Sequence, residues 1–404
     1  MNKERNQKKI VLINTVLYGS TGNIVRQLKS LAEENGMKAY TVSAYSRNNK
    51  TVYGEDDIVI GNYLDRYLHI WLSRVTGLSG EFSVYSTWKL TRLLKKIKPD
   101  VIHLHNLHNA YINLAILFRY IKKNDVKVIW TLHDCWAFTG RCPYFDIYSC
   151  DKWVKGCGNC PYPKDEYPVS NRDNTSKSWA YKNRVFSGVS DMTIVTPSKW
   201  LAGLVKKSFL KEYPVKTINN GIDLDTFKPT TGKLYDELKS SGKHIVLGLA
   251  MDWNRRKGLD VIVELNKLLD DKYQIVMVGT DDSLAEKLSE QGIKCINRTG
   301  SQEELAEIYT AADVFANPTR EDNFPTVNIE ALACGAPIVT FDTGGSPEIP
   351  DNITGVVVPK EDIEAMKQAI VDICEKKSIN KSDCIERAHC FEKKKQFYEY
   401  IKLY

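Results

Sequence analysis

Short apolar runs alternate with longer helical patterns along nearly the whole chain, and this alternation limits the fold more than any other feature. In the first half the runs are Ile10–Asn14, Ala39–Ser43, Asp57–Ile60, Val101–His105, Lys127–Leu132, Thr193–Thr196 and Thr217–Asn219. A second series occupies His244–Leu249, Gln274–Val278, Lys294–Ile296, Val314–Ala316, Pro337–Thr340 and Gly355–Val358. Such spacing is the signature of parallel strands flanked by helices. The turn-rich stretch "NNGIDLDTFKPTTGKL" separates the two series and reads as an inter-domain connection. A chain of 404 residues is too long for one ordinary core. The expected fold class is therefore α/β, with two Rossmann-like doubly wound domains. The first spans 1–228 with a cysteine-rich insertion at 140–162, the second 229–385, and 386–404 form a terminal helix. Tandem sheets of this kind bind ligands at strand carboxyl ends, in the cleft between the domains.

Composition narrows the class of function. The chain is 43% hydrophobic and 26% charged, with no low-complexity tract or repeat period. Its charged opening, "MNKERNQKKIVLINT", lacks the apolar core of a signal peptide, and no window reaches the length of a membrane span. The expected location is the cytoplasm, where the ten cysteines would be mostly reduced. A net charge of +6 and the absence of a nucleic-acid module give no reason to expect nucleic acid as a partner. The densest basic patch, "KLTRLLKKIK" at Lys89–Lys98, fits a solvated amphipathic helix or peripheral attachment to anionic lipid at the inner face of a membrane.

The chemistry centres on "REDNFPTVNIEALACG", Arg320–Gly335. Pro325 fits a first helical position and Gly335 a helix stop. A helix N-terminus at a strand's carboxyl end suits a diphosphate. Carboxylates beside a diphosphate would be repelled by it, so Glu321, Asp322 and Glu330 suit sugar hydroxyls instead. Alone, the stretch also fits a helix whose acids merely complement its dipole. Neighbouring segments add candidates. Gly344 and Gly345 in "TFDTGGSPEI" allow close backbone approach to a ligand. Arg255, Arg256 and Lys257 form a basic cluster after a strand, and Gly19 and Gly22 lie in a small-residue loop, "YGSTGNI".

Together these segments resemble retaining glycosyltransferases of the GT-B fold, family four. The resemblance runs through "KIVLINT", "PDVIHLHN", "TLHDCWAFTGRC", "VTPSKWL", "INNGIDLDTFKP", "RRKGLD" and "EELAEIYTAADVFANPT", and so covers nearly the whole chain. The phrases "IHLHNLHN" and "TLHDCWAFTGRC" are similar to those of bacterial colanic-acid and exopolysaccharide enzymes. The family signature is Glu, seven residues, Glu. In that register the second Glu is Glu330, which the resemblance places on the nucleotide ribose, and the first position is Asp322, facing the donor sugar, with Glu321 as its competitor. The same comparison gives Lys257 the diphosphate and His133 a place near the transferred sugar. His133 would otherwise be a strand-end histidine tied to Asp134. The family arginine about six positions before Lys257 is replaced by Met251, leaving Arg255 or Arg256 to complete the clamp. Asn323, Phe324, Pro325 and Thr326 fall within the implied donor site. His103 and His105 share one strand face and, with His108, remain acceptor-side or packing candidates.

Cys142, Cys150, Cys157 and Cys160 lie within nineteen residues, which suits a structural zinc site, free thiols or labile disulfides. The other cysteines are expected to pack.

The resulting expectation is a retaining transferase with no catalytic cofactor, structural zinc at most. Its donor would be a UDP or GDP sugar, and its acceptor a saccharide or lipid-linked saccharide of a surface polysaccharide. A nucleotide-sugar epimerase of the same architecture and an inactive scaffold are the alternatives.

Overall fold

The structure, a computed structural model, describes residues 7–46, 54–162, 164, 166 and 168–404. The first residues of the charged opening, 1–6, lie outside them. The chain divides into two compact units, Met1–Ile218 with Phe397–Tyr404, and Asn219–Gln396. The division falls at residue 218 rather than 228, because the connecting stretch is recruited by the second unit. There Ile222 forms a parallel bridge with Glu392, and Phe227 packs edge-on against Tyr309, their ring centroids 6.3 Å apart. Likewise the return to the first unit begins at Phe397, within helix Lys393–Ile401, rather than at 386.

The first unit carries a seven-stranded sheet of β1 (Lys9–Ile13), β2 (Lys38–Ala44), β3 (Asp57–Ile60), β4 (Val101–Leu104), β5 (Lys127–Thr131), β6 (Met192–Thr196) and β7 (Val215–Thr217). Its order is β3-β2-β1-β4-β5-β6-β7, every pair parallel. The second unit carries β8 (His244–Leu249), β9 (Tyr273–Val278), β10 (Lys294–Ile296), β11 (Val314–Asn317), β12 (Ile338–Phe341) and β13 (Gly355–Val358) in the order β10-β9-β8-β11-β12-β13. Each expected strand is present. The largest displacement is β7, which starts two residues earlier than its apolar run, directly after Pro214.

Both sheets are buried on two faces, which is why their strands read as continuous apolar runs. In the first unit Val11, Ile102, Val128 and Trp130 face one core cluster, while Ile10, Leu12, Val101 and Ile129 face another. Phe397, Tyr400 and Tyr404 complete the second of these. In the second unit Leu247, Val276 and Phe315 oppose Val246, Ile275 and Val314 across the sheet in the same way.

Strand order reverses between β1 and β4 in one unit and between β8 and β11 in the other. Beyond the carboxyl ends of such strands the flanking loops part, and that crevice is where doubly wound sheets bind ligands. Among the described residues no helix is long and apolar enough to cross a membrane.

Candidate active site

In the second unit, the segments after β8 and β11 converge at the reversal point. After β8, Asn254 caps a short 3-10 turn, Arg255–Lys257, by accepting from the Lys257 N–H at 3.1 Å. After β11, Arg320–Pro325 lead into helix Thr326–Ala333. Pro325 is the N-cap rather than the first helical residue, with ψ of 110°. Pro325 itself makes no side-chain capping hydrogen bond, which leaves the first N–H groups of the helix as donors toward the loop.

Across this junction Lys257 Nζ lies 2.6 Å from Asp322 Oδ2, each side chain about one-fifth exposed. The other carboxylate oxygen, Oδ1, accepts from the Phe324 N–H at 3.3 Å. Glu321, by contrast, is 4% exposed, and its carbonyl accepts from Arg256 Nη1 at 3.2 Å and from Thr319 Oγ1 at 3.2 Å. Asn323 is buried, and the ring of Phe324 is committed to the core against Phe391. Gly344 sits at φ +57°, and a Cβ there would lie 1.9 Å from the Asp322 carbonyl oxygen. The Gly345 N–H donates to that same oxygen at 3.0 Å. The close approach expected of this glycine pair is thus made by the protein's own backbone, and it fixes the loop bearing Asp322.

Glu330 accepts from Tyr309 OH at 3.0 Å and is hydrogen-bonded by the Thr326 side chain. Burial pushes its carboxyl up to about 7, with both hydrogen bonds opposing the rise. The carboxyl thus holds its proton more tightly than an ordinary glutamate, and further hydroxyl donors would favour its ionised form.

Sequence reasoning gave Arg320 no role, yet it braces this site. Its guanidinium pairs with Asp260 at 2.7 and 2.9 Å and with Glu361 at 2.5 and 2.7 Å, and also donates to the Arg255 carbonyl. Only 4% of the Arg320 side chain is exposed. One planar fork thus ties the Asp322 loop to the Lys257 turn. No local pattern announces partners that lie sixty and forty-one positions away. Of the clamp candidates, Arg255 has an exposed side chain and Arg256 is turned toward Glu321. Met251 is 93% exposed.

Beside this junction, at the ends of β8, β9 and β10, a cavity of about 670 Å³ is lined by Ala250, Trp253, Gly279, Thr280, Asn297 and Arg298 among others. Trp253 is held there by its indole N–H, which donates to the Val278 carbonyl at 2.9 Å.

In the first unit, histidines gather at the ends of β4 and β5. His103 and His105 lie ring to ring, centroids 4.1 Å apart. His103 bridges Tyr404 OH at 2.7 Å and Thr131 Oγ1 at 2.8 Å. His133 Nε2 is 3.0 Å from His105 Nδ1. The Asp134 carboxylate lies 2.9 Å from His108 Nε2 and accepts from the Trp136 N–H at 2.8 Å, and its charge also acts on His133. Burial lowers His133 to about 4 and His103 to about 3, so both are neutral at physiological pH. Gly19 opens helix Gly19–Glu34 after β1, and a Cβ on Gly22 would lie 2.5 Å from the Leu17 carbonyl carbon. Asn14 joins this helix start to the histidine loop, bonding Thr21 Oγ1 at 3.3 Å and the Asn106 N–H at 3.1 Å.

Cys142, Cys150, Cys157 and Cys160 form no disulfide. Burial raises Cys142 to about 12 and Cys157 to about 11, with the neighbouring cysteines adding to both shifts. Among the described residues no three histidine, cysteine or carboxylate side chains are grouped to hold a metal ion. Lys182, fully buried beside them, donates to the Trp136 and Thr139 carbonyls at 2.7 and 3.0 Å and pins the "WAFT" turn. Cys390, expected to pack, is exposed.

Two family models match the chain: Glycosyltransferase Family 4 over residues 24–226 and Glycosyl transferases group 1 over residues 243–376. The chain belongs to glycosyltransferase family 4. It is 25% identical over 372 residues to an Escherichia coli protein named as a colanic acid biosynthesis glycosyl transferase, WcaC, covering 87% of each. It is also 23% identical over 394 residues to an uncharacterised protein from the cps region of Klebsiella pneumoniae, covering 95% of this chain and 96% of the relative. Among solved structures, sucrose-phosphate synthase from Thermosynechococcus elongatus matches with a TM-score of 0.72 at 17% identity, over 98% of both chains. HepE of Anabaena, solved in complex with UDP, matches with a TM-score of 0.67 at 13% identity, over 98% of this chain and 99% of that one. These likenesses give the fold as GT-B, in agreement with the two parallel sheets.

Proposed function

We propose that this chain transfers a sugar, with retention of anomeric configuration, from a nucleotide diphosphate donor to a lipid-linked saccharide in surface polysaccharide assembly. One observation carries this reading. The Lys257 ammonium, a helix N-terminus and two carboxylates, Asp322 and Glu330, meet at the second unit's reversal point beside a ligand-sized cavity. The UDP and UDP-glucose complexes of HepE support a nucleotide-sugar donor. The name of the Escherichia coli relative, a colanic acid biosynthesis glycosyl transferase, supports the polysaccharide role.

In this reading the cavity beside Asn297 and Arg298 takes the base, and Glu330 accepts from the ribose hydroxyls. Lys257 and the N–H groups at Thr326 receive the diphosphate. As the sugar–oxygen bond breaks, charge builds on the leaving phosphate oxygen, where fixed donors lower the barrier most. The acceptor hydroxyl attacks from the face the leaving group departs, and its proton passes to that phosphate oxygen. Asp322, released from Lys257, accepts from donor-sugar hydroxyls, while neutral His133 offers a hydrogen bond without adding charge.

The test combines a thermal-shift panel of UDP, GDP and their sugars with transfer assays on saccharide acceptors. A donor at a hundredfold excess over its dissociation constant adds about 2.7 kcal/mol of apparent stability. Stabilisation by one nucleotide class together with a product that keeps the donor's anomeric configuration supports the reading. An epimerised donor with no transfer, or no stabilisation by any nucleotide, overturns it.

A further inference from the structure

We propose that helices Tyr63–Thr76 and Val84–Ile97 form an interfacial surface that seats the first unit on an anionic lipid bilayer. On the first helix Tyr63, Leu64, Tyr67, Leu68 and Trp71 follow an i, i+1, i+4, i+5, i+8 spacing and are each 45–61% exposed. On the second, Val84, Tyr85 and Trp88 repeat the start of that spacing at 42–62% exposure. These eight are half of the sixteen large apolar side chains exposed among the described residues, gathered into twenty-six positions. Scattered exposed apolar groups are ordinary, but a concentration of this kind marks an interaction surface. The two helices are joined by a buried hydrogen bond, His69 Nδ1 to Ser83 Oγ at 2.8 Å, with Phe82 set edge-on against the His69 ring.

Charge decides what the surface meets. Residues 63–98 hold seven basic side chains and two acidic ones, Asp65 and Glu81. Lys89 lies 4.6 Å above the Tyr85 ring, and Arg92 lies 4.0 Å above that of Trp88. Lys95 and Lys96 close the last turn of the second helix. Tyrosine and tryptophan belong at headgroup depth, and interleaved lysine and arginine reach the phosphates beside them. A buried face between protein subunits would instead be depleted of charge, lysine above all.

The same first helix has an inward side. Arg66, Ile70 and Arg74 line a cavity of about 270 Å³ with His108 and Trp136. Seating the outer stripe in headgroups would therefore put this cavity at the membrane surface, where a saccharide still attached to its lipid could enter. That last clause rests on the proposed acceptor, whereas the membrane seat does not.

The test is sedimentation of the full chain with phosphatidylcholine vesicles, with or without phosphatidylglycerol. Binding should be at least tenfold stronger with phosphatidylglycerol and fall steeply with salt. Replacing Lys89, Arg92 and Lys95 by Gln should weaken it about fivefold per cation. Trp71→Ser with Trp88→Ser should cost more than tenfold and abolish the blue shift of tryptophan emission on vesicle addition. These side chains are exposed, so the variants should keep the wild-type Tm and its nucleotide shift, which keeps the result separate from the donor reading. Equal or absent binding to both vesicle types, or binding indifferent to these substitutions, overturns the proposal. A self-associated species that the tryptophan variant dissolves would also overturn it, in favour of a second copy of the chain.

Discussion

Lys257 and Asp322, sixty-five residues apart, close the junction between the segments that follow β8 and β11, Nζ to Oδ2 at 2.6 Å. About a fifth of each side chain remains open to solvent, and an incoming diphosphate, more highly charged than a single carboxylate, can compete for the lysine. The pair thus holds both side chains in place until a ligand divides them.

Lys257→Ala should lower kcat roughly 10²- to 10³-fold, the loss typical of one charge-stabilising donor. Asp322→Asn should reduce transfer at least tenfold while lowering Tm only modestly, since the amide oxygen can still accept from the Lys257 ammonium. Steady-state kinetics with Glu321→Gln alongside separates the two acids. Loss of transfer in the Glu321 variant alone would reassign the sugar-facing role.

Glu330 supplies a pH signature. Its carboxyl stands near 7 in the folded protein against an ordinary 4.5, so the folded state holds the proton more tightly. Its stabilising contribution is therefore complete below the ordinary value and is lost as pH rises toward and through about 7. Nucleotide affinity should run the opposite way, improving as the carboxylate ionises. Thermal scans across this range, with and without nucleotide, should show both trends in the wild type and neither in Glu330→Gln.

Arg320→Lys keeps the charge but loses the planar fork. It should destabilise the second unit by about 1–3 kcal/mol and lower Tm by several degrees. It should also depress kcat, because Arg255 and the Asp322 loop lose their common brace. Denaturant unfolding alongside kinetics checks both effects, and an unchanged Tm would show the brace to be dispensable.

His133 should not supply a protonation step near neutrality, since burial holds it near 4. At saturating donor, kcat should therefore stay level through the usual histidine range. His105→Phe should perturb transfer through His133, its partner at 3.0 Å, more than nucleotide binding. A kcat limb near 6.5 that disappears in His133→Gln would contradict the neutral assignment.

The strands and turns that carry Lys257 and Asp322, and the helix that carries Glu330, could be read from local runs of residues. The donor groups assigned to these side chains came instead from the family resemblance. What could not be read was which groups meet. Gly344 looked like a ligand-facing glycine, but the Asp322 carbonyl occupies the space beside it. Nothing in "TLHD" announced that His108 Nε2 would lie 2.9 Å from the Asp134 carboxylate. Arg320 and Tyr309 carried no local signal at all.

The sequence by itself determined the two parallel sheets, because period and polarity are local properties and a strand buried on both faces must be apolar throughout. Tertiary structure alone decided the unit boundary, the Lys257–Asp322 pair, the Arg320 fork and the raised Glu330. Each depends on groups distant in the chain becoming neighbours, and burial and hydrogen-bond partners exist only once the sheets have formed.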